Sequence, residues 1–134
     1  MRVAETEESE MKVGKDLMAA SAAPLVLAIL AEGESYGYAI VKRVRELSGG
    51  EIEWTDGLLY PLLHRLEDAG HVTSRWGASE TGRRRRYYEV TPSGRAELVE
   101  HRRQWAAVVG ALQSAWKDVA NAAALGTMRP GVAL

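Results

Sequence analysis

Between Asp56 and Ala69 the apolar residues Leu58, Leu59, Leu62, Leu63, Leu66 and Ala69 fall within a helical sector about 140° wide, which predicts a helix with one buried face. The opposite sector carries Gly57, Tyr60, Pro61, His64 and Asp68, with Arg65 on its flank, so the outward side is polar and slender at its start. Thr55 or Asp56 can cap this helix, and Gly70 closes it. Downstream, Val72, Ser74 and Trp76 alternate with His71, Thr73 and Arg75, as along a strand. Residues 84–90, with Tyr87, Tyr88 and Val90, predict the returning strand, and residues 77–82 the turn of the hairpin.

Two helices are expected ahead of this stretch. The apolar run over residues 17–31 predicts a helix capped by Ser21, with Pro24 in its first turn, ending near Glu32. It is apolar all round, so it must be covered on more than one side. Gly33 stops it, Ser35 can cap the next helix over residues 36–48, and Gly49 and Gly50 end that one. Tyr36, Ile40, Val44 and Leu47 share an inner face, while Tyr38, Lys42 and Arg45 point outward. Taken alone, without the hairpin that follows, Lys42 and Arg45 read as solvated surface charge. Trp54 reads as a packing residue in the link to the third helix.

After the hairpin, Thr91 followed by Pro92 starts a long helix. Its apolar residues step in heptads through Leu98, Trp105, Val109, Leu112, Trp116 and Val119, with Arg102 as a break. A seam this narrow predicts helix pairing, and hence a homodimer; Gly126 and Pro130 end the helix. The expected fold class is mainly α with a small β-hairpin: a winged helix-turn-helix plus a long C-terminal dimerisation helix. The segments would be a mobile acidic arm over 1–14, a DNA-binding domain over 15–91, the dimerisation helix over 92–125 and a loose tail over 126–134.

Composition narrows the classes. The chain has 134 residues, 46% of them hydrophobic, which fits one domain with an appended element. It has no Cys, and His64, His71 and His101 form no ligand-spaced cluster, so no metal and no cofactor are expected. The apolar run over 17–31 is shorter than the roughly 20 residues a membrane span needs. The residues before it are acidic, unlike a secretory signal, so a cytoplasmic location is expected. The net charge of −1 is unusual for a nucleic-acid binder, but it is unevenly spread. Arg83, Arg84, Arg85 and Arg86 stand in a row, and the local field governs contact with a polyanion.

Three helices followed by a hairpin suit DNA: the third helix enters the major groove, and the second helix and hairpin reach phosphates. Gly57, Tyr60, Pro61, His64 and Arg65 are the candidate reading surface, with Tyr38 and Lys42 on the second helix beside it. Strand alternation sends Arg83 and Arg85 to one side and Arg84 and Arg86 to the other, so not all four are expected to meet one groove. Four adjacent like charges otherwise repel, and a phosphate backbone would balance them. A protein–protein interaction module without DNA binding is the alternative function. An enzyme finds no support, because there is no nucleophile beside a base, no phosphate loop and no placed pair of carboxylates.

The blocks Tyr36-Gly37-Tyr38-Ala39-Ile40, Asp56-Gly57-Leu58-Leu59-Tyr60-Pro61-Leu62-Leu63-His64-Arg65-Leu66-Glu67 and Gly82-Arg83-Arg84-Arg85-Arg86-Tyr87-Tyr88-Glu89-Val90-Thr91-Pro92-Ser93-Gly94-Arg95 resemble the PadR family of bacterial transcriptional regulators. The resemblance implies a homodimeric repressor that reads an inverted repeat in double-stranded DNA, in the shorter branch with a single C-terminal helix. Family members often carry a hydroxyl residue where this chain has Leu58, so a contact made by that hydroxyl is not expected here. Some members of the branch hold planar aromatic or cationic compounds at the dimer interface, against a Trp at a fixed distance beyond the glycine of a Thr-x-x-Gly motif. Gly94 and Trp105 stand in that relation. Trp105 and Trp116, about 16 Å apart along the helix, are therefore either dimer-core anchors or the walls of an effector site.

Overall fold

The computed structural model describes residues 12–124. Helix α1 spans Lys15–Ala31, strand β1 Ser35–Tyr36, helix α2 Gly37–Leu47 and helix α3 Asp56–Asp68. Strands β2 (Val72–Ala78) and β3 (Arg84–Val90) follow, then helix α4 (Pro92–Ala124). The tail over 126–134, including Gly126 and Pro130, and most of the arm over 1–14 lie outside the described residues. The chain forms two compact units, one ending at Leu98 and the other beginning at Val99.

In the first unit three helices pack with a small antiparallel sheet of order β1-β3-β2. The core draws on every layer: Val26 and Leu27 of α1, Ile40 of α2, Leu59 and Leu63 of α3, and Val72 and Tyr88 of the sheet are all at most 2% exposed. Each such aliphatic side chain contributes about 1.5–3 kcal/mol on leaving water. The fold is mainly α with a small sheet, a winged helix.

Ser21 does not cap α1. The helix already begins at Lys15, and the Ser21 hydroxyl donates to the Leu17 carbonyl at 2.8 Å. A serine inside a helix can satisfy its hydroxyl on the preceding turn, and Asp16 in the first turn suits the helix dipole. Ser35 does not cap α2 either. Ser35 and Tyr36 form a short strand, paired Ser35↔Tyr88 and Tyr36↔Tyr87 with β3. This pairing is a contact between distant residues, and no local pattern announces it. Two residues expected inside are exposed: Leu47, on the last turn of α2, and Ala69, which follows the last turn of α3.

Thr55 is the cap of α3, its Oγ1 accepting from the Leu58 N–H at 3.3 Å. Leu59, Leu62, Leu63 and Leu66 are buried and Leu58 is partly buried, as the stripe predicts. Gly70, at φ +83, turns the chain out of the helix while the His71 N–H donates to the Leu66 carbonyl at 2.8 Å. That closure feeds directly into β2, whose register with β3 runs from Val72↔Val90 to Ala78↔Arg84.

Thr91 joins the hairpin to α4. Its hydroxyl accepts from the Gly94 N–H at 3.0 Å and donates to the Gly70 carbonyl at 2.7 Å. A Cβ at position 94 would run into the His71 carbonyl, so glycine is required where the helix start presses on the link between α3 and β2. Leu98 packs, partly buried, against the core. It belongs to the first unit, at the start of the heptad seam.

The second unit is the remainder of α4. Trp105 is partly buried, while Val109, Leu112, Trp116 and Val119 are exposed along the heptad side. On another side the Arg103 guanidinium and the Gln104 amide hydrogen-bond Glu100 and hold its carboxyl down at about 2.

Candidate nucleic-acid interface

Beside α3 and the hairpin lies an open depression of about 480 Å³. Its walls come from β1 and the start of α2 (Tyr36, Gly37, Tyr38), the outer face of α3 (Tyr60, His64) and the hairpin (Trp76, Arg83 to Arg86, Tyr88). Among the described residues it is bordered by four arginines and no carboxylate.

The arginines at this depression differ from others in the chain. Arg43 is bonded to Glu32, Arg45 to Glu53, Arg75 to Glu34 and Arg103 to Glu100. Those contacts hold the carboxyls of Glu32, Glu34 and Glu53 below the usual range. Arg84, Arg85 and Arg86 rest instead on aromatic rings. Arg84 and Arg86 lie 4.5 and 5.2 Å from the ring centre of Trp76, and Arg85 lies 3.8 Å from that of Tyr36. An aromatic face attracts a cation without neutralising it. Among the described residues, the positive field therefore stays available to an outside anion.

Strand alternation accounts for which ring each arginine meets. Trp76, Arg84, Arg86 and the buried Tyr88 share one face of the hairpin. Arg75, Arg85 and Tyr87 share the other, where the Arg75 guanidinium lies 4.8 Å from the Tyr87 ring centre and is bonded to Glu34 at 2.7 and 2.8 Å. Gly77 makes room there, since a Cβ would meet the Tyr87 ring and the Arg75 guanidinium within 3 Å. All four arginines nevertheless border the same depression. Arg85 leaves the far face of β3 but crosses to Tyr36 on the neighbouring β1, and Tyr36 is itself part of the wall.

Of the residues expected to read or grip a polyanion, Tyr38, Tyr60, His64 and Arg83 to Arg86 come together here. Lys42, Gly57, Pro61 and Arg65 are exposed but do not line the depression. Tyr60 is less free than the helical wheel suggests. Its hydroxyl abuts Gly37, where a Cβ would overlap it, and it is only 38% exposed. Gly37 thus permits a tyrosine of α3 to close against the start of α2. Tyr36, Gly37, Trp76 and Tyr88 were missed as parts of the site. Alternation carried the signal for Trp76, but only the register shows that it faces Arg86 and Arg84.

Trp105 and Trp116 lie in the second unit. Trp105 borders a shallow depression with Val99, Arg102, Arg103, Ala106 and Val109, and Trp116 is not part of it. Among the described residues there is no cluster of three or more His, Cys, Asp or Glu able to hold a metal, and no helix long and apolar enough to cross a membrane.

A three-helix unit with a two-stranded wing, a polar third helix and a run of arginines beside it defines the winged helix-turn-helix class, the build of a transcriptional regulator. The family described as "Transcriptional regulator PadR-like family" matches residues 26–100. A transcriptional regulator from Clostridium thermocellum has a similar solved structure, 30% identical, covering 75% of this chain and 97% of that one at a TM-score of 0.68. A PadR family regulator from Eggerthella lenta is 32% identical, covering 75% and 86% at a TM-score of 0.65. Transcriptional regulator Rv3488 of Mycobacterium tuberculosis is 48% identical over 59 residues, 44% of this chain and 54% of that protein. The chain belongs to the PadR-like family of transcriptional regulators.

Proposed function

We propose that this regulator is a homodimeric repressor that binds an inverted-repeat operator in double-stranded DNA. The observation that carries the DNA contact is the depression beside α3, rimmed by four arginines with no carboxylate among its described lining residues. In this reading α3 enters the major groove with His64 and Arg65 nearest base edges, and Tyr60 and Pro61 in contact with the groove wall. Gly57, in the first turn of α3, has only the Thr55 hydroxyl near its missing Cβ, so a phosphate can approach the helix start. Tyr38, Lys42 and the four wing arginines take flanking phosphates.

Pairing of α4 with a second copy would cover Trp105, Val109, Leu112, Trp116 and Val119, which repeat every three and four residues. A planar aromatic or cationic effector would then stack on Trp105 and its symmetry mate; its binding would release the operator. The Arg102 guanidinium beside Trp105 favours an aromatic compound that carries an acceptor.

Titration of an operator fragment at several salt concentrations tests the assignment. Each phosphate contact adds roughly 0.9 to the slope of log affinity against log salt, so the pair Arg83→Ala and Arg85→Ala should flatten it by about two and weaken all sequences alike. His64→Ala should instead change preference at one base position by about 1–3 kcal/mol. Unchanged affinity in both sets would remove this surface from DNA recognition. A wild-type chain that binds no duplex at low salt would favour a protein–protein module.

A further inference from the structure

Trp76 is 54% exposed, a large apolar ring left in water on a hairpin that otherwise buries Val72, Tyr88 and Val90. Core packing does not account for it. Its neighbours are two guanidinium groups: Arg86, its direct partner across the strands, and Arg84, two residues further along the same face. Two like charges at that separation repel, and each long side chain has several rotatable bonds. Without the ring Arg84 would swing out into solvent, and Arg86 would be left with its hydrogen bond to the Tyr88 hydroxyl.

We infer that Trp76 is a positioning residue for DNA binding, its indole face holding Arg84 and Arg86 at the rim of the depression before phosphate arrives. The inference rests on the reading of that depression as the DNA interface. Trp has the strongest ring face for a cation, and one ring here serves two of them. Ordering a long side chain at an interface costs affinity, and a ring that orders two of them beforehand removes part of that cost. Trp76 also borders the depression beside His64, so the held guanidiniums lie next to the helix proposed to enter the groove. The action runs through the arginines: the ring supplies direction, and Arg84 and Arg86 supply charge.

Three variants separate ring face from bulk. Trp76→Ala and Trp76→Leu should each weaken operator binding about tenfold, from the ordering of two side chains, with an unchanged unfolding midpoint. Trp76→Phe, which keeps a ring face, should recover most of the affinity. In an Arg84→Ala, Arg86→Ala background the Trp76→Leu change should have no further effect, because both guanidiniums it holds are gone. Wild-type affinity in Trp76→Ala would overturn the inference, as would a Trp76→Leu protein that binds like Trp76→Phe. A tenfold loss that persists in the double-arginine background would show that the indole itself touches DNA, which also overturns it. If wild type binds no genomic duplex at low salt, the DNA reading fails first and this inference goes with it.

Discussion

In the unit that ends at Leu98, Leu27, Ile40, Leu59 and Leu63 are at most 1% exposed and belong to one core. In the unit that begins at Val99, Leu112 is 40%, Val119 51% and Trp116 61% exposed, and the described residues beyond Val99 form a single helix. Both units have comparable apolar side chains. What differs is that the first has layers to close on, and the second has none among its described residues. An apolar stripe with heptad spacing and no partner within its unit is what a helix built to pair with a copy of itself would show.

That contrast makes substitutions fall into separate classes. The largest effect on folding is expected in the first unit: Leu63→Ala should lower stability by about 2–5 kcal/mol, measured by denaturant unfolding. The same experiment on Leu112→Asp should leave the first unit's unfolding nearly unchanged. Its consequence should be a loss of self-association, read as halved mass in sedimentation or light scattering. If Leu112→Asp stays a dimer, the exposed stripe is not the pairing surface and the contrast between the units loses its meaning.

A smaller effect concerns the tether between Glu34 and the wing. Hydrogen bonding to Arg75 holds the Glu34 carboxyl below its ordinary value of 4.5. A carboxyl lowered in the folded state adds stability above its unfolded pKa and loses it as pH falls through the folded value. Wild type should therefore exceed Glu34→Gln slightly in stability near neutral pH, and the difference should shrink on acidification below the ordinary carboxylate value and vanish below the lowered folded one. Both groups are partly solvated, so the gap should be small and sensitive to salt. A gap that grows on acidification would contradict the assigned pairing.

The sequence made some of this legible and left the rest dark for identifiable reasons. The stripe of α3, the caps at Thr55 and Thr91 and the closing Gly70 are local patterns, and the structure follows them. Ser35 and Tyr36 joined a strand because β3 lies beside them, which depends on residues fifty positions away. Leu98 kept the heptad spacing yet packs on the core, because the first turns of α4 are anchored there through Thr91 and Gly94. The wing arginines were visible as a run. Their rings were not: Trp76 and Tyr36 acquire a role only once the register sets them beside Arg84, Arg85 and Arg86.

A footprint of the purified protein on selected genomic fragments tests the central claim most directly. Two protected half-sites, related by inverted symmetry and centred about one helical turn apart or a multiple of it, are the predicted result. Under the same conditions Leu112→Asp should protect weakly, and each half-site should fill independently. A single half-site bound with full affinity by both proteins, or no protection at low salt, would contradict a paired reader built from these two units.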